Sequence, residues 1–232
     1  MITVRPANAR GTHRPAWGLV RHAFSSGDYM DREWHHFRSL RLLDEQVIQP
    51  ATCTPIHEHR DLEVLTWVLE GTLQHHHGLG MDSDLLPTDG VQLLRYGIGM
   101  EHQECNISGD QSCRLLRFGV IPTQPGGPGQ AQDHVFPAEG RRNRLQLLAS
   151  PDGSDHSLLW GSEAKLHVTC LDIHSRVSLD LPQGSSAWVQ VARGRVEIME
   201  EGLLAGDGAA LVDEPVLTLT ATQPSLVFVL EL

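Results

Sequence analysis

Lysine is almost missing from this chain: Lys165 is the single copy in 232 residues. The other cations are scattered arginines. With 18 basic residues against 29 acidic ones, the formal charge is −11. Nucleic-acid backbones are gripped by clustered Lys and Arg, so this composition argues against direct nucleic-acid binding. Cysteine is also scarce, at Cys53, Cys105, Cys113 and Cys170. No two of these form a C-x-x-C pair, and four in a chain this long do not make the dense framework of a small secreted domain. Free thiols in a reducing compartment are therefore expected. No apolar run approaches the ~20 residues of a membrane span, and the opening Met1-Ile2-Thr3-Val4-Arg5 lacks the apolar stretch of a signal peptide. The expectation is a cytoplasmic protein with no membrane contact. With no heptad pattern or apolar patch motif, it is expected to be a monomer.

What is present is β-structure and histidine. The length suits two domains of about 100–120 residues, and 40% hydrophobic residues supply a core without staples. Short apolar runs separated by Gly and Pro signals read as strands of a sandwich or barrel. Leu62–Leu69 reads as a buried strand ended by Glu70-Gly71. Thr72–His75, Val91–Leu94 and Arg114–Ile121 follow as strands, and residues 78–89 as a hairpin loop. A single helical turn is conceivable after Asp31. The stretch from Pro122 to Pro137, with Pro125-Gly126-Gly127-Pro128, cannot continue a central strand. A boundary near residue 125 is expected, giving domains 1–125 and 126–232. The halves echo one another: Val68-Leu69-Glu70-Gly71 resembles Val191-Ala192-Arg193-Gly194, and Asp89-Gly90 resembles Asp207-Gly208.

Fourteen histidines are more than chance supplies. Adjacent residues on a strand face opposite ways, so His35-His36 and His75-His76-His77 read as mostly solvated. His57 and His59 are different. Being two apart, they share a face, and Asp61 and Glu63 continue that parity if the strand stays regular. After a Gly-bounded turn, His102 and Glu104 repeat the spacing. Two such pairs on facing barrel strands would bring three imidazoles and one carboxylate to one point. Nitrogen and oxygen donors without thiolate suit Fe(II), Mn, Co, Ni, Cu(II) or Zn, and four protein ligands leave an open position for chemistry.

The stretch Pro55-Ile56-His57-Glu58-His59-Arg60-Asp61-Leu62-Glu63, running on to Gly71, resembles the first cupin motif as pirins carry it. Gly97-Ile98-Gly99-Met100-Glu101-His102-Gln103-Glu104-Cys105-Asn106 resembles the pirin second motif. Arg10-Gly11, His22-Ala23-Phe24-Ser25, Asp28-Tyr29 and Phe37-Arg38-Ser39-Leu40-Arg41 are similar to the pirin amino-terminal segment. The likeness is looser beyond, around Ala187–Val191 and Gly206–Ala210. Two departures, Ser25-Ser26 and His76-His77-Gly78, fall where substrate choice could be shaped.

The resemblance implies an all-β bicupin of two jelly-roll barrels, with one divalent metal, Fe(II) first, held by His57, His59, His102 and Glu104 in the amino-terminal barrel. It implies a quercetin 2,3-dioxygenase-like activity that opens a flavonol-like ring with O₂ and releases carbon monoxide. Glu104, or Glu63 at the usual cupin carboxylate position, would take the substrate proton. Glu63 reads first as a residue orienting His57 or His59. The family also implies an alternative, a metal- and redox-sensing regulator that binds a protein partner. A metal-dependent isomerase or hydrolase would use the same cavity.

Laying Gly71 on Gly194 sends His57 and His59 to Asp180 and Pro182. Laying Gly90 on Gly208 sends His102 and Glu104 to Thr220 and Thr222. The second barrel is thus expected to lack ligands and to serve as a structural lid. His156, His167 and His174 read as surface or core, and Cys105 as packing.

Overall fold

The structure is a computed structural model that describes residues 1–77 and 85–232, so most of the expected 78–89 loop lies outside the described residues. Among the described residues the architecture is strand throughout, with 3₁₀ turns at Ala7–Ala9, Ala138–Arg141 and Ser154–His156. No helical turn follows Asp31. Its carboxylate instead accepts the backbone N–H groups of Glu33 and Trp34 at 3.0 and 3.2 Å, and such a bond offers the chain an alternative to helix.

The chain divides into two compact units. One comprises residues 11–136 and 160–162, the other residues 1–10, 137–159 and 163–232. This corrects the expected division after residue 125 at three places. Gln130–Val135 is a strand that pairs with Gly90–Arg95, so the first unit extends past the Pro/Gly run. The Pro/Gly run itself lies outside any strand, in the turn before Gln130, where Pro needs no ladder partner. Ile2–Arg5 pairs with Gly208–Val212 and so belongs to the second unit. Trp160–Ser162 belongs to the first.

In the first unit a seven-stranded sheet runs in the order Gln130–Val135, Gly90–Arg95, Glu63–Glu70, Cys113–Val120, Leu40–Ile48, Gly18–His22 and Gly11–His13. The Glu63–Glu70 strand is central and buried along seven of its eight residues, which is why it reads as an unbroken apolar run rather than an alternation. A second sheet orders Thr52–Cys53, Met100–Asn106, Thr72–His77 and Leu86–Pro87, with His57–His59 also paired to Met100–Asn106. These are the two walls of a cupin barrel.

The second unit repeats the plan. Seven strands, among them Ser186–Arg193, Ser225–Glu231 and Lys165–Leu171, form one sheet, and Arg176–Asp180, Val216–Ala221, Arg195–Ile198 and Glu201–Leu204 form the other. Val189, Val191, Val196, Leu211, Leu219 and Val227 meet in its core. The repeat seen in the sequence is structural. Gly71 and Gly194 each turn the chain at φ +81° and +79°, a region that suits glycine. A Cβ at Gly71 would lie 2.7 Å from the Ser112 carbonyl oxygen, and one at Gly194 would lie 2.2 Å from that of Pro224.

The cysteines correct the expectation of free thiols. Cys53 and Cys105 stand opposite in register across the Thr52–Cys53 and Met100–Asn106 strands, and they form a disulfide. Their separation of 52 residues hides the pairing from any local spacing rule. Cys113 and Cys170 are free, and burial pushes the Cys113 thiol up to about 12.

Closing a loop of this length stabilises a fold by roughly 4 kcal/mol in the chain-entropy model. The Cys53→Ser variant is expected to lower the unfolding free energy of the first unit by about 2–4 kcal/mol. Urea titrations with and without reductant measure this; coincident curves for wild type and variant under oxidising conditions would show that the bond contributes nothing.

Candidate metal centre

The centre is assembled by register. His57–His59 lies antiparallel on Met100–Asn106, with His102 opposite His57 and Met100 opposite His59. Parity then turns His57, His59 and His102 to one side. Their ring centroids are 4.0 Å (His57 to His102), 5.1 Å (His57 to His59) and 5.1 Å (His59 to His102) apart. The three offer one ligand nitrogen each, all within 4.8 Å of one another. Glu104, two residues beyond His102 and fully buried, enters an overlapping group with His102 and His75.

Three of the four donors are held by a second group. His57 Nδ1 lies 2.9 Å from the Pro55 carbonyl. Donation there leaves Nε2 as the free donor atom. His102 Nδ1 lies 2.7 Å from His75 Nε2, and its Nε2 lies 3.2 Å from the Tyr96 hydroxyl. His59 Nε2 is buried without a hydrogen-bond partner. Glu104 is held at both oxygens. The Thr54 hydroxyl donates to Oε2 at 3.2 Å, and Arg117 Nη1 lies 3.2 Å from Oε1. Thr54 Oγ1 also accepts the Glu104 backbone N–H at 3.0 Å.

Electrostatics sort the protonation states. Burial, then the charge of Arg117, lowers His59 to about 3. Burial lowers His75 to about 4 and His102 further still. Burial alone would raise Glu104, but the charge of Arg117 holds it well below the usual carboxylate range. Burial pushes the Tyr96 phenol far up. At neutral pH the site thus presents neutral imidazoles beside an ionised carboxylate. That is the state a metal requires of its ligands. A buried ring nitrogen without a partner, three converging imidazoles and one anionic oxygen fit a divalent ion that prefers nitrogen and oxygen.

Glu63 is not part of this group. Arg95 Nε lies 2.5 Å from its Oε1, and the Gly161 N–H donates to Oε2 at 2.6 Å. The expected parity with His57 and His59 fails because the strand is interrupted. Asp61 takes φ +49°, and the chain passes from the His57–His59 sheet to the Glu63–Glu70 sheet. With both oxygens engaged elsewhere, Glu63 neither orients a centre histidine nor stands free to take a proton.

Four residues escaped the sequence reading. His75 is buried, against the expectation of solvation, because it lies directly opposite Glu104 in register. Thr54, Tyr96 and Arg117 carry no motif. The expectation for the other histidines holds for His35, His36, His156 and His174, which are exposed, and for half-buried His167, which lies 2.5 Å from Glu231 Oε1. Among the described residues no ligand group forms in the second unit, where Asp180, Pro182, Thr220 and Thr222 hold the corresponding positions.

A cavity of about 630 Å³ opens beside the centre, its wall including His57, His59, Glu104, Arg117, Trp17 and Tyr29. Fold and site together define a two-barrel cupin with one candidate metal centre. The comparisons agree. Residues 3–119 match the family model described as Pirin, and residues 147–232 match the quercetinase C-terminal cupin domain. The quercetin 2,3-dioxygenase of Escherichia coli K12 is 30% identical over 233 residues, covering 100% of this chain and 99% of that protein. A pirin-like protein of Caulobacter vibrioides is 29% identical over 96% of each chain. The crystal structure of the Escherichia coli bacterial pirin YhhW in complex with nickel(II) superposes with a TM-score of 0.94 at 30% identity, covering 100% of this chain and 99% of that one. The chain belongs to the pirin family.

Two predictions follow from the orienting contacts. His75→Ala frees Nδ1 of His102 and is expected to weaken Ni(II) or Zn(II) binding about 10–100-fold, read by competition with a chromophoric chelator; unchanged affinity would remove His75 from the centre. Acidification is the second. His75 titrates near 4 when folded and near 6.5 when unfolded. The unfolded chain therefore binds more protons in that window, and stability of the metal-free protein falls as pH drops from 6.5 towards 4. The depressed Glu104 acts with the same sign below its unfolded value. Thermal unfolding of metal-free protein at pH 7, 6 and 5 should show a falling midpoint, and a flat profile contradicts this account.

Proposed function

We propose that this protein is a metal-dependent dioxygenase of the quercetin 2,3-dioxygenase kind, in which His57, His59, His102 and Glu104 hold one divalent ion and Fe(II) is the native metal. It opens a flavonol-like ring with O₂ and releases carbon monoxide. The observation that carries the reading is the convergence of three imidazoles beside a buried, ionised carboxylate at an open cavity. The activity named for the 30%-identical Escherichia coli protein supports the choice of reaction. The nickel(II) in the complex of the similar bacterial pirin supports the choice of a divalent metal. All four donors come from one chain, which suits a monomer as the working unit.

A divalent ion held there supplies Lewis acidity towards an enol or phenol oxygen. The protein does the rest. The cavity volume of about 630 Å³ lies in the range of small-molecule sites, and Trp17 and Tyr29 offer rings to an aromatic substrate. Glu104, fixed by Thr54 and Arg117, remains an anionic donor and is a weak base, since it is held ionised far below neutral pH. The proton from the substrate hydroxyl goes instead to His22 on the cavity wall. Its Nδ1 is 2.7 Å from Asp44 Oδ1, so Nε2 is left as the acceptor, as in other carboxylate-oriented histidines.

Aerobic assay with quercetin, after loading with Fe, Ni, Cu, Mn or Co, tests the reading. Turnover with carbon monoxide release is expected. The His57→Ala/His102→Ala variant should lose more than the ~10–100-fold that loss of an outer partner costs. His22→Gln should bind metal normally and lose about 10²-fold in kcat. No turnover at full occupancy with any of these metals rejects the dioxygenase, and partner binding that tracks metal redox state would then take its place.

A further inference from the structure

Arg117 is an unusual residue to find against a metal centre. It lies on the Cys113–Val120 strand with only 2% of its surface exposed. Its Nη1 is 3.2 Å from Glu104 Oε1, and its Nε and Nη2 have no hydrogen-bond partner among the described residues. Asp44 stands opposite it in register and Tyr96 bonds to it. Removing a guanidinium from water without full pairing is unfavourable, so a purely structural account leaves the residue unexplained.

We propose that Arg117 tunes the centre: it fixes Glu104 in the ligand position while weakening the hold of the site on a divalent ion and favouring the ferrous over the ferric state. This rests on the metal reading above and goes beyond it. Two effects act together. A carboxylate with one oxygen paired to a guanidinium and the other bonded to the Thr54 hydroxyl has less electron density to give a metal. A fixed positive charge within the same buried site also repels a dication, and repels a trication more, where little water screens it. An ion held under these conditions is more electron-poor. It acidifies an enol or phenol oxygen more strongly than the same four donors would without Arg117. Asp44 offsets part of this charge but is itself engaged by His22. The role is that of a positioning residue, since Arg117 acts through Glu104.

The sign of one measurement separates tuning from support. The whole chain is stripped of metal and titrated with Ni(II) or Zn(II) against a competing chelator. Arg117→Gln, which can still donate to Glu104, and Arg117→Met, which cannot, both remove the charge. Arg117→Lys retains it. Tuning predicts that R117Q and R117M bind metal at least tenfold tighter than wild type and that R117K stays within about threefold. The iron-loaded neutral variants should also show a lower reduction potential. A merely structural Arg117 gives the opposite result, weaker binding in R117Q and R117M, and that outcome or an unchanged affinity overturns the proposal. A wild-type chain that takes up no metal overturns the centre itself, which is a distinguishable failure.

Discussion

A fully buried carboxylate, Glu104, must stay ionised, and much of the site follows from how the barrel meets that demand. Desolvation opposes its charge. Arg117 on the neighbouring sheet and the Thr54 hydroxyl answer it at separate oxygens. That solution imposes others. With a guanidinium so close, the surrounding imidazoles cannot also carry charge. Burial and Arg117 together drive His59, His75 and His102 to their neutral forms. The same interaction that holds Glu104 ionised thus leaves His59 and His102 ready to donate, with His75 neutral beside them. Protonation of the site and readiness for metal are one electrostatic balance.

Position matters as much as charge, and it is carried by strand register. Thr54 is followed by Pro55, whose carbonyl takes His57 Nδ1, and preceded by Cys53, whose partner Cys105 adjoins Glu104. Thr54 N–H bonds to the Glu104 carbonyl at 2.8 Å, and the Gln103 side chain donates to the Thr54 carbonyl at 2.7 Å. A shift of one residue between these segments would turn His57 and His59 away from His102. The disulfide locks the register at the point where an error would dissolve the centre.

Much of this was legible in the sequence, and the legible part has a common character. His57 with His59, and His102 with Glu104, are local period-2 pairs, so parity alone puts each pair on one face. The Gly71 and Gly194 turns exposed the duplication because glycine at positive φ leaves a mark in the sequence, and the Asp-Gly pairs repeated the pattern. What could not be read depends on partners far along the chain. His75 needed the register that sets it against Glu104, Cys53 needed Cys105, and Arg117 looked like any strand arginine until its strand was placed. Glu63 failed for a different reason. Its parity was extended through Asp61, where a left-handed residue ends one strand and sends the chain to another sheet. Parity holds only as far as the strand does.

The duplication sharpens the meaning of the four ligands. Both units build the same two-sheet barrel, and both fill it with small and branched apolar side chains. In the second unit the corresponding positions are Asp180, Pro182, Thr220 and Thr222, and among the described residues no ligand group forms there. A cupin barrel therefore does not need the centre in order to fold. In the first unit the polar cluster displaces apolar packing, and hydrophobic replacements of buried ion pairs are often neutral or stabilising. A buried cation, a buried carboxylate and three depressed histidines are thus unfavourable choices for stability alone. Their presence in one barrel and absence from the other is the physical argument that they serve chemistry rather than the fold.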